Sequence, residues 1–260
     1  MDAMSDGPDL ECAALCVRVP GRTLVESLTV RVRPGTILAV LGRNGAGKSS
    51  TLHTLAGLSP PASGDIRIDD RRLADWPRRS LARRLGLLTQ AVEDPFPGSV
   101  LDAVLVGRHP HIDFWQWESA ADREIARRAL ADVDLEGLDA REIGSLSGGE
   151  RRRLAVAAVL AQDPSIYLLD EPIQQLDPRH QLIVLDICRR LADAGRAVVM
   201  SLHDVGLAAR YADEALLLFG DGRWLHGSES EVLRVPNIEQ LYGLPVRELS
   251  WNGGRTFVPA

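Results

Sequence analysis

The chain has 260 residues, 45% of them hydrophobic and 25% charged, and its formal net charge is −6 at pH 7. This length and apolar content suit one large α/β domain, or a domain with a subdomain, around a sizeable core. The negative charge argues against a general nucleic-acid binder, because that function depends on neutralising phosphates.

The N-terminus, the apolar runs and the cysteines bear on where the protein works. Residues 1–9 lack an apolar core, so we expect a disordered segment rather than a secretion signal. The longest apolar run, 154–161, is far shorter than the ~18 residues of a membrane span. Cys12, Cys16 and Cys188 lack metal-type spacing and are expected to be reduced, mostly buried thiols of a cytosolic protein. Any role at a membrane would then be that of a peripheral subunit.

The predicted elements change character twice along the chain. Alternating patterns at 30–33 and 65–69 predict strands before about residue 89, and helical patterns replace strands from about 91 to 162. Strands and helices then alternate, which predicts a parallel-sheet nucleotide core interrupted by a helical insertion. The later strands are predicted at 166–169, 197–202 and 215–219, the later helices at 179–194 and 204–211, and a hairpin around Asn252-Gly253-Gly254.

The segment from Gly42 to Ser49 fits G-x-x-x-x-G-K-[ST], a loop whose backbone N–H groups cradle phosphates. It contains Lys48, the single lysine among 30 basic residues, where a compact ammonium on a flexible stem is needed. A predicted strand at 36–41 runs into the loop and a predicted helix at 50–56 runs out of it, so the helix dipole adds to anion binding. The predicted nucleoside triphosphate site is Gly42, Arg43, Asn44, Gly45, Ala46, Gly47, Lys48, Ser49 and Ser50, with the Ser49 hydroxyl on Mg²⁺.

Two carboxylates end the predicted strand at 166–169. Because side chains alternate along a strand, Asp170 and Glu171 are expected to point in different directions. We therefore predict that Asp170 holds the Mg²⁺ shell and that Glu171 polarises the attacking water as general base.

The run Leu146-Ser147-Gly148-Gly149-Glu150 predicts a helix start. Ser147 is placed as an N-cap, and Glu150 completes a capping box for a helix at 148–162. Capping does not explain Gly148 and Gly149, since glycine weakens a helix by ~1 kcal/mol each. The two glycines leave the first-turn amides bare, which indicates a second phosphate site.

With these motifs the chain resembles the ATP-binding subunit of ABC transporters, whose signature is LSGGQ or LSGGE, over roughly residues 10–245. The resemblance implies an α/β fold: a P-loop NTPase core of the ABC ATPase type with an antiparallel β subdomain and a helical subdomain at about 91–162. Residues 246–260 would form a C-terminal hairpin tail. The resemblance also implies ATP and Mg²⁺ as ligands of a head-to-tail homodimer. Each ATP would be held by one phosphate loop and, in trans, by Ser147, Gly148, Gly149 and Glu150 of the other subunit.

Three further residues gain roles only from the resemblance. Gln90 is similar to the Q-loop glutamine that touches Mg²⁺ and the water, Asp177 to the D-loop aspartate that crosses the dimer, and His203 to the switch histidine on the γ-phosphate. The chain departs from the family where an aromatic usually stacks on adenine, because 17–22 contains none. Arg18 or Arg22 could stack by a cation–π contact, or base recognition is loose. Ile173-Gln174 also stands where Thr is common, a swap we expect to be tolerated.

The segments 104–111, 178–181 and 241–243 resemble the branch that energises import of ferric siderophores, haem and cobalamin. His109 and His111 could be taken for a metal site, but no third ligand follows at helical or hairpin spacing. The branch implies two membrane permease subunits, a periplasmic or surface substrate-binding protein acting indirectly, no nucleic acid, and a peripheral place on the cytoplasmic face of the inner membrane. An exporter ATPase and a soluble ABC-type ATPase unlinked to transport are the alternatives.

Arginines cluster at four places in the sequence. We expect these clusters to lie on solvated helix faces, with a contact to lipid headgroups or to a partner as the alternative. The clusters are Arg71-Arg72, Arg78-Arg79, Arg83-Arg84 and Arg151-Arg152-Arg153.

Overall fold

The computed structural model describes residues 9–90, 98–113, 115–251 and 254–260. The strands in these ranges are β1 (Leu10–Val19), β2 (Arg22–Val32), β3 (Ile37–Gly42), β4 (Ser63–Ile68), β5 (Arg71–Arg72), β6 (Leu85–Leu88), β7 (Ile166–Leu169), β8 (Ala197–Ser201), β9 (Glu214–Leu218), β10 (Trp224–Ser228), β11 (Val246–Trp251) and β12 (Gly254–Pro259). The helices are α1 (Lys48–Leu55), α2 (Arg78–Arg84), α3 (Val100–Leu105), α4 (Ala120–Asp132), α5 (Gly148–Gln162), α6 (Pro178–Asp193), α7 (Val205–Tyr211), α8 (Glu229–Val232) and α9 (Val235–Tyr242), with short 3-10 turns at Leu73–Asp75, Val106–His111 and Ile143–Ser145.

The central sheet has the strand order β10-β9-β3-β8-β7-β6. Strands β9, β3, β8, β7 and β6 run parallel, and β10 pairs antiparallel with β9 at one edge. Strands β3 and β7 are buried along their whole length, as expected for parallel strands covered on both faces. Because these strands are parallel, the segments that follow β3, β6, β7 and β8 emerge at the same edge of the sheet.

Alternation along β3 separates the two halves of the core. Ile37, Ala39 and Leu41 pack with the helices, whereas Leu38 and Val40 pack with β1 and β2. The second layer is a four-stranded antiparallel sheet in the order β2-β1-β4-β5. The predicted α/β fold with an antiparallel β subdomain is therefore confirmed.

Helices α3, α4 and α5 form a group beside the sheet, and no strand lies between β6 and β7 among the residues described there. The segment 104–111 is fastened to α5. A Cβ on Gly107 would lie 2.2 Å from the Ala158 carbonyl oxygen, so only glycine fits. Arg108 is buried, pairs with Asp122 at 2.9 Å and donates to the Ala161 carbonyl. These contacts give the segment a structural role in holding the helical group together.

Of the two histidines considered for a metal site, His109 and His111, the second has a backbone partner. The Nε2 atom of His111 lies 2.8 Å from the Gln162 carbonyl oxygen, so α5 occupies that ring nitrogen. Across the described ranges, no group of three or more His, Cys, Asp or Glu side chains could hold a metal ion. The interpretation of this segment as a metal site is thus disfavoured.

Helix α9 and the hairpin of β11 and β12 close the described chain. The turn predicted at Asn252-Gly253 and residues 1–8 of the segment 1–9 predicted to be disordered lie outside the described residues. The prediction is wrong for Asp9, which is buried and pairs with Arg31. Strand β12 packs on α7, where a Cβ on Gly206 would lie 2.3 Å from the Thr256 hydroxyl. The hairpin therefore rests on the helix that follows His203.

The prediction that the arginine clusters lie on solvated helix faces is wrong for Arg152 and Arg153, which are buried. It is also wrong about the type of element that carries Arg71 and Arg72. Arg152 and Arg153 are only 3% and 8% exposed, because both guanidinium groups bind backbone carbonyls inside the protein. Arg71 and Arg72 are exposed, but they lie on strand β5 rather than on a helix. The three cysteines are free and buried, as predicted. Among the helices of the described ranges, none is long and apolar enough to cross a membrane.

Candidate functional site

The loop between β3 and α1 is shaped by glycines that no larger residue could replace. Gly47 has φ 106°, and a Cβ there would lie 2.9 Å from the Leu24 Cβ. A Cβ on Gly42 would lie 2.7 Å from the Leu218 carbonyl oxygen. No side chain caps the first turn of α1, so its amides are available to an anion. The loop thus combines tight backbone approach with open donors.

Lys48 opens α1 and is 5% exposed. Its Nζ donates to the Gly42 carbonyl at 2.9 Å, which folds the side chain across the loop. Burial lowers the pKa of Lys48, and the nearby carboxylates of Glu171 and Asp170 partly oppose that shift. A compact ammonium is therefore held inside the loop where phosphate oxygens would complete its coordination.

A cavity of about 440 Å³ lies over this loop. It is lined by Val19, Arg22, Leu24, Asn44, Gly45, Gly47, Lys48, Ser49, Ser50, Gln90, Glu171, Gln174 and His203. The cavity thus brings the predicted phosphate loop together with Gln90, Glu171 and His203, although they are far apart in sequence. Three predicted residues of the loop, Gly42, Arg43 and Ala46, do not line it.

The other two predicted catalytic residues, His203 and Gln90, both contact Glu171. Its Oε1 lies 2.6 Å from the Nε2 atom of His203, and its Oε2 accepts from the Gln90 side-chain amide at 3.1 Å. Glu171 has φ 51°, a strained conformation for a non-glycine residue that costs of order 1–3 kcal/mol. Such strain persists only where the surrounding structure fixes the residue.

Asp170 is fully buried and has other partners than Glu171; both residues follow the end of β7, so strand alternation does not set their directions. Asp170 Oδ1 accepts from the Ser201 hydroxyl at 2.7 Å, whereas its Oδ2 is buried without a hydrogen-bond partner. An orphaned carboxylate oxygen is costly, and a hard divalent cation would satisfy it. The hydroxyl of Ser49 and the amide oxygen of Gln90 are further oxygen ligands in the cavity wall. The residues present therefore fit a Mg²⁺ ion.

The predicted capping box at the start of α5 is confirmed. Ser147 accepts from the Glu150 amide at 3.2 Å, and Glu150 accepts from the Ser147 amide at 2.8 Å. That backbone hydrogen bond is the main reason that the pKa of Glu150 is lowered, and Arg141 adds to the effect. Packing also favours glycine at position 149, because a Cβ there would lie 3.3 Å from the Gln175 carbonyl oxygen.

The residues predicted to act in trans do not reach the cavity. Asp177 caps α6 through the His180 amide at 3.0 Å, and this bond lowers the pKa of Asp177. Ser147 and Gly148 are exposed. Besides Gly42, Arg43 and Ala46, the predicted residues absent from the cavity lining are Asp170, Ser147, Gly148, Gly149, Glu150 and Asp177. A single subunit therefore leaves the predicted second phosphate site open to solvent.

Sequence reasoning missed Ser201 and Arg152. The fully buried Ser201 accepts from the Glu171 amide at 2.8 Å while donating to Asp170, so one hydroxyl bridges both acidic residues. Arg152 donates to the Thr89 and Glu171 carbonyls at 2.7 Å each and also to the Asp170 carbonyl. Burial lowers the pKa of Arg152 to about 10. The available signal was that α5 is too apolar around Arg152 and Arg153 for both to be solvated.

One of the two arginines considered for base stacking lies at the end of the cavity beyond the phosphate loop. Arg22 lines the cavity and Arg18 does not. The Nε and Nη2 atoms of Arg22 donate to the Gly220 carbonyl at 2.8 and 2.5 Å, which fixes the guanidinium plane. Val19 lies in the same wall. A planar cation beside an aliphatic side chain can therefore contact a base where an aromatic is missing.

Comparison with known proteins agrees with this geometry. The family model described as ABC transporter matches residues 25–174. The hemin import ATP-binding protein HmuV of Streptomyces coelicolor is 42% identical over 234 residues, covering 89% of this chain and 82% of that protein. The protein of the same name from Pseudomonas aeruginosa is 42% identical over 237 residues, covering 89% and 91%.

Solved structures show the same fold. The structure of an inward-facing, metal-chelate type ABC transporter superposes with a TM-score of 0.84 at 31% identity, covering 98% of each chain. A dimeric ATP-binding cassette with ADP and Pi bound superposes with a TM-score of 0.73 at 22% identity, covering 85% and 98%, which supports the fold alone. With more than half of its length matched by the family model, the chain belongs to the ABC transporter family, as an ATP-binding cassette that hydrolyses ATP.

Proposed function

We propose that the chain is the ATP-hydrolysing subunit of an ABC importer that energises uptake of a metal chelate through a separate membrane permease. The chelate would be a ferric siderophore, haem or cobalamin. Relatives at 42% identity are named hemin import ATP-binding proteins, and a metal-chelate type transporter is a structural neighbour. The observation that carries the hydrolytic part is the convergence of His203 and Gln90 on Glu171 beside Lys48.

The phosphate end of ATP would bind by charge and by backbone donors. Residues 42–50 supply the open amides of α1, and Lys48 supplies a positive charge to the β and γ phosphates. Mg²⁺, when bound, would neutralise charge that develops on the phosphates. Ser49, Gln90 and the free Oδ2 of Asp170 would hold it.

Glu171 would accept a proton from the attacking water. Each of its carboxylate oxygens has one side-chain partner, His203 at Oε1 and Gln90 at Oε2. A carboxylate has about four acceptor positions, so capacity remains for a water. We propose that His203 turns towards the γ-phosphate, which frees Oε1 as the nucleotide arrives.

The active unit would be a head-to-tail homodimer. The exposed start of α5 lies apart from the subunit's own phosphate loop, and its capping box leaves the Gly148 and Gly149 amides for an anion. Ser147, Gly148, Gly149, Glu150 and Asp177 would therefore contact the nucleotide of the partner subunit.

We further propose that residues 10–245 form the ABC ATPase domain, with the helical subdomain at about 91–162 and the hairpin tail at 246–260. The dimer would bind two permease subunits at the cytoplasmic face of the inner membrane. A periplasmic or surface substrate-binding protein would act on the permease rather than on this chain. We propose no nucleic-acid partner.

The test is purification of the tagged chain from native membranes, followed by reconstitution with the co-purified permease. We expect ATP-dependent movement of haem, a ferric siderophore or cobalamin into proteoliposomes from the side opposite the ATPase. Glu171→Gln is the matched control, because it should retain assembly without transport. Movement of the substrate away from the side that carries the ATPase would identify an exporter. ATP hydrolysis without a permease partner would identify a soluble ATPase.

A further inference from the structure

Arg152 is a buried cation that the proposed mechanism leaves unused. It lies on α5, is 3% exposed, and its guanidinium reaches the segments that carry Gln90 and Glu171. Nη1 donates to the Thr89 carbonyl at 2.7 Å and approaches the Gln90 carbonyl at 3.4 Å. Nη2 donates to the carbonyls of Asp170 and Glu171. One side chain thus clamps the backbone of two separate segments of the site.

The arrangement requires a guanidinium. Its rigid fork offers five N–H donors, whereas a glutamine amide offers two and an ammonium cannot span two carbonyl pairs in one plane. Holding a cation here is costly, and the Nε atom is buried without a partner. A packing role alone would be served at lower cost by an apolar side chain.

Helix α5 links these carbonyls to residues 147–150 at its start, which are proposed to contact the partner's nucleotide. Arg152 follows Gly148 by four residues, a rise of about 6 Å along a helix. A helix moves as a stiff unit over that distance, so a shift of Gly148 and Gly149 also moves the guanidinium. The carbonyls it holds belong to Gln90 and Glu171, whose side chains meet at 3.1 Å.

We propose that Arg152 is a positioning residue that couples the two ATP sites of the dimer. When the partner's nucleotide docks on the start of α5, the helix moves Arg152, which aligns Gln90 and Glu171 at the subunit's own nucleotide. The inference rests on the proposed contact in trans by residues 147–150. The inference goes beyond that contact because it names Arg152 as the residue that transmits the effect of nucleotide docking from one site to the other.

Arg153 provides a matched control. It is also buried, lies on the same helix, and donates to the carbonyls of Val133 and Asp134 at 2.7 and 2.6 Å. Its partners lie at the end of α4, away from the cavity. Loss of either guanidinium should therefore lower thermal stability, but only loss of Arg152 should disturb Gln90 and Glu171.

The first experiment compares ATP hydrolysis by Arg152→Gln, Arg152→Lys and Arg153→Gln. We expect Arg152→Gln to lower kcat by 10- to 100-fold while the nucleotide Kd stays within threefold, with Arg152→Lys in between. Arg153→Gln should keep kcat within threefold. An Arg152→Gln kcat within threefold of the parent chain would overturn the proposal. Equal losses in the two glutamine variants would reduce Arg152 to a stabilising role.

The second experiment follows hydrogen exchange with ATP in the Glu171→Gln chain, with and without Arg152→Gln. We expect ATP to protect amides at 148–150 in both chains, but to change exchange at 89–90 and 170–171 only where Arg152 is present. Equal changes at 170–171 in both chains would overturn the coupling. No protection at 148–150 in either chain would instead overturn the shared site, and the coupling with it.

Discussion

Replacing Ser201 by alanine tests whether one hydroxyl holds the acidic pair in place. The hydroxyl donates to Asp170 Oδ1 at 2.7 Å and accepts from the Glu171 amide at 2.8 Å, all at fully or nearly fully buried atoms. Asp170 Oδ2 already lacks a partner, so Ser201→Ala leaves the whole carboxylate without a side-chain donor. A lost hydrogen bond to a charged group costs ~1.5–3 kcal/mol, and an orphaned buried amide costs about 1–3 kcal/mol.

Allowing for partial relaxation, we expect Ser201→Ala to lower the free energy of unfolding by about 2–4 kcal/mol. Urea unfolding with and without Mg²⁺ and ATP measures it, and part of the loss should return with ligand because the freed carboxylate can bind the cation. Ser165→Ala is the control, since Ser165 is also buried and lies at the opposite end of β7. A loss below 0.5 kcal/mol, or one equal to that of Ser165→Ala, would refute the reasoning.

Three further predictions concern the proposed roles. Glu171→Gln should retain ATP binding but lower hydrolysis by about 10²–10⁴-fold, trapping an ATP-bound dimer visible by size-exclusion chromatography. Asp170→Asn should instead weaken the Mg²⁺-dependent part of ATP binding. Identical behaviour of the two variants would refute the division of roles. Lys48→Arg should lower ATP affinity or turnover by roughly tenfold or more, because the planar fork does not fit the buried path to Gly42, and parent-like titration and phosphate release would contradict this. Ser147→Arg should block dimer closure, and mixing it with Lys48→Ala should restore hydrolysis that each variant lacks, if one intact site turns over unaided. Full activity of Ser147→Arg alone would contradict the shared site.

Local patterns could be predicted from the sequence because their physics is local. The capping box joins Ser147 to Glu150 across three residues, so its hydrogen bonds follow from helix geometry alone. The glycines around Lys48 are likewise dictated by a tight turn between a strand and a helix. The pleat of a strand does not explain the different partners of Asp170 and Glu171, because both follow the end of β7 and Glu171 has φ 51°. The resemblance of these motifs to a family added Gln90 and His203, which no local pattern distinguishes.

Only the tertiary structure decided which distant groups meet. Ser201 lies 30 residues beyond Glu171 in the chain, and the two are brought together because parallel strands β7 and β8 end at the same edge. The carbonyls that Arg152 binds belong to the segments that follow β6 and β7, and only the folded sheet brings those segments to α5. The Arg22 guanidinium in the cavity wall is held by the Gly220 carbonyl, 198 residues away. A sequence states which donors and acceptors exist, but long-range packing determines which of them are buried together and must therefore be paired.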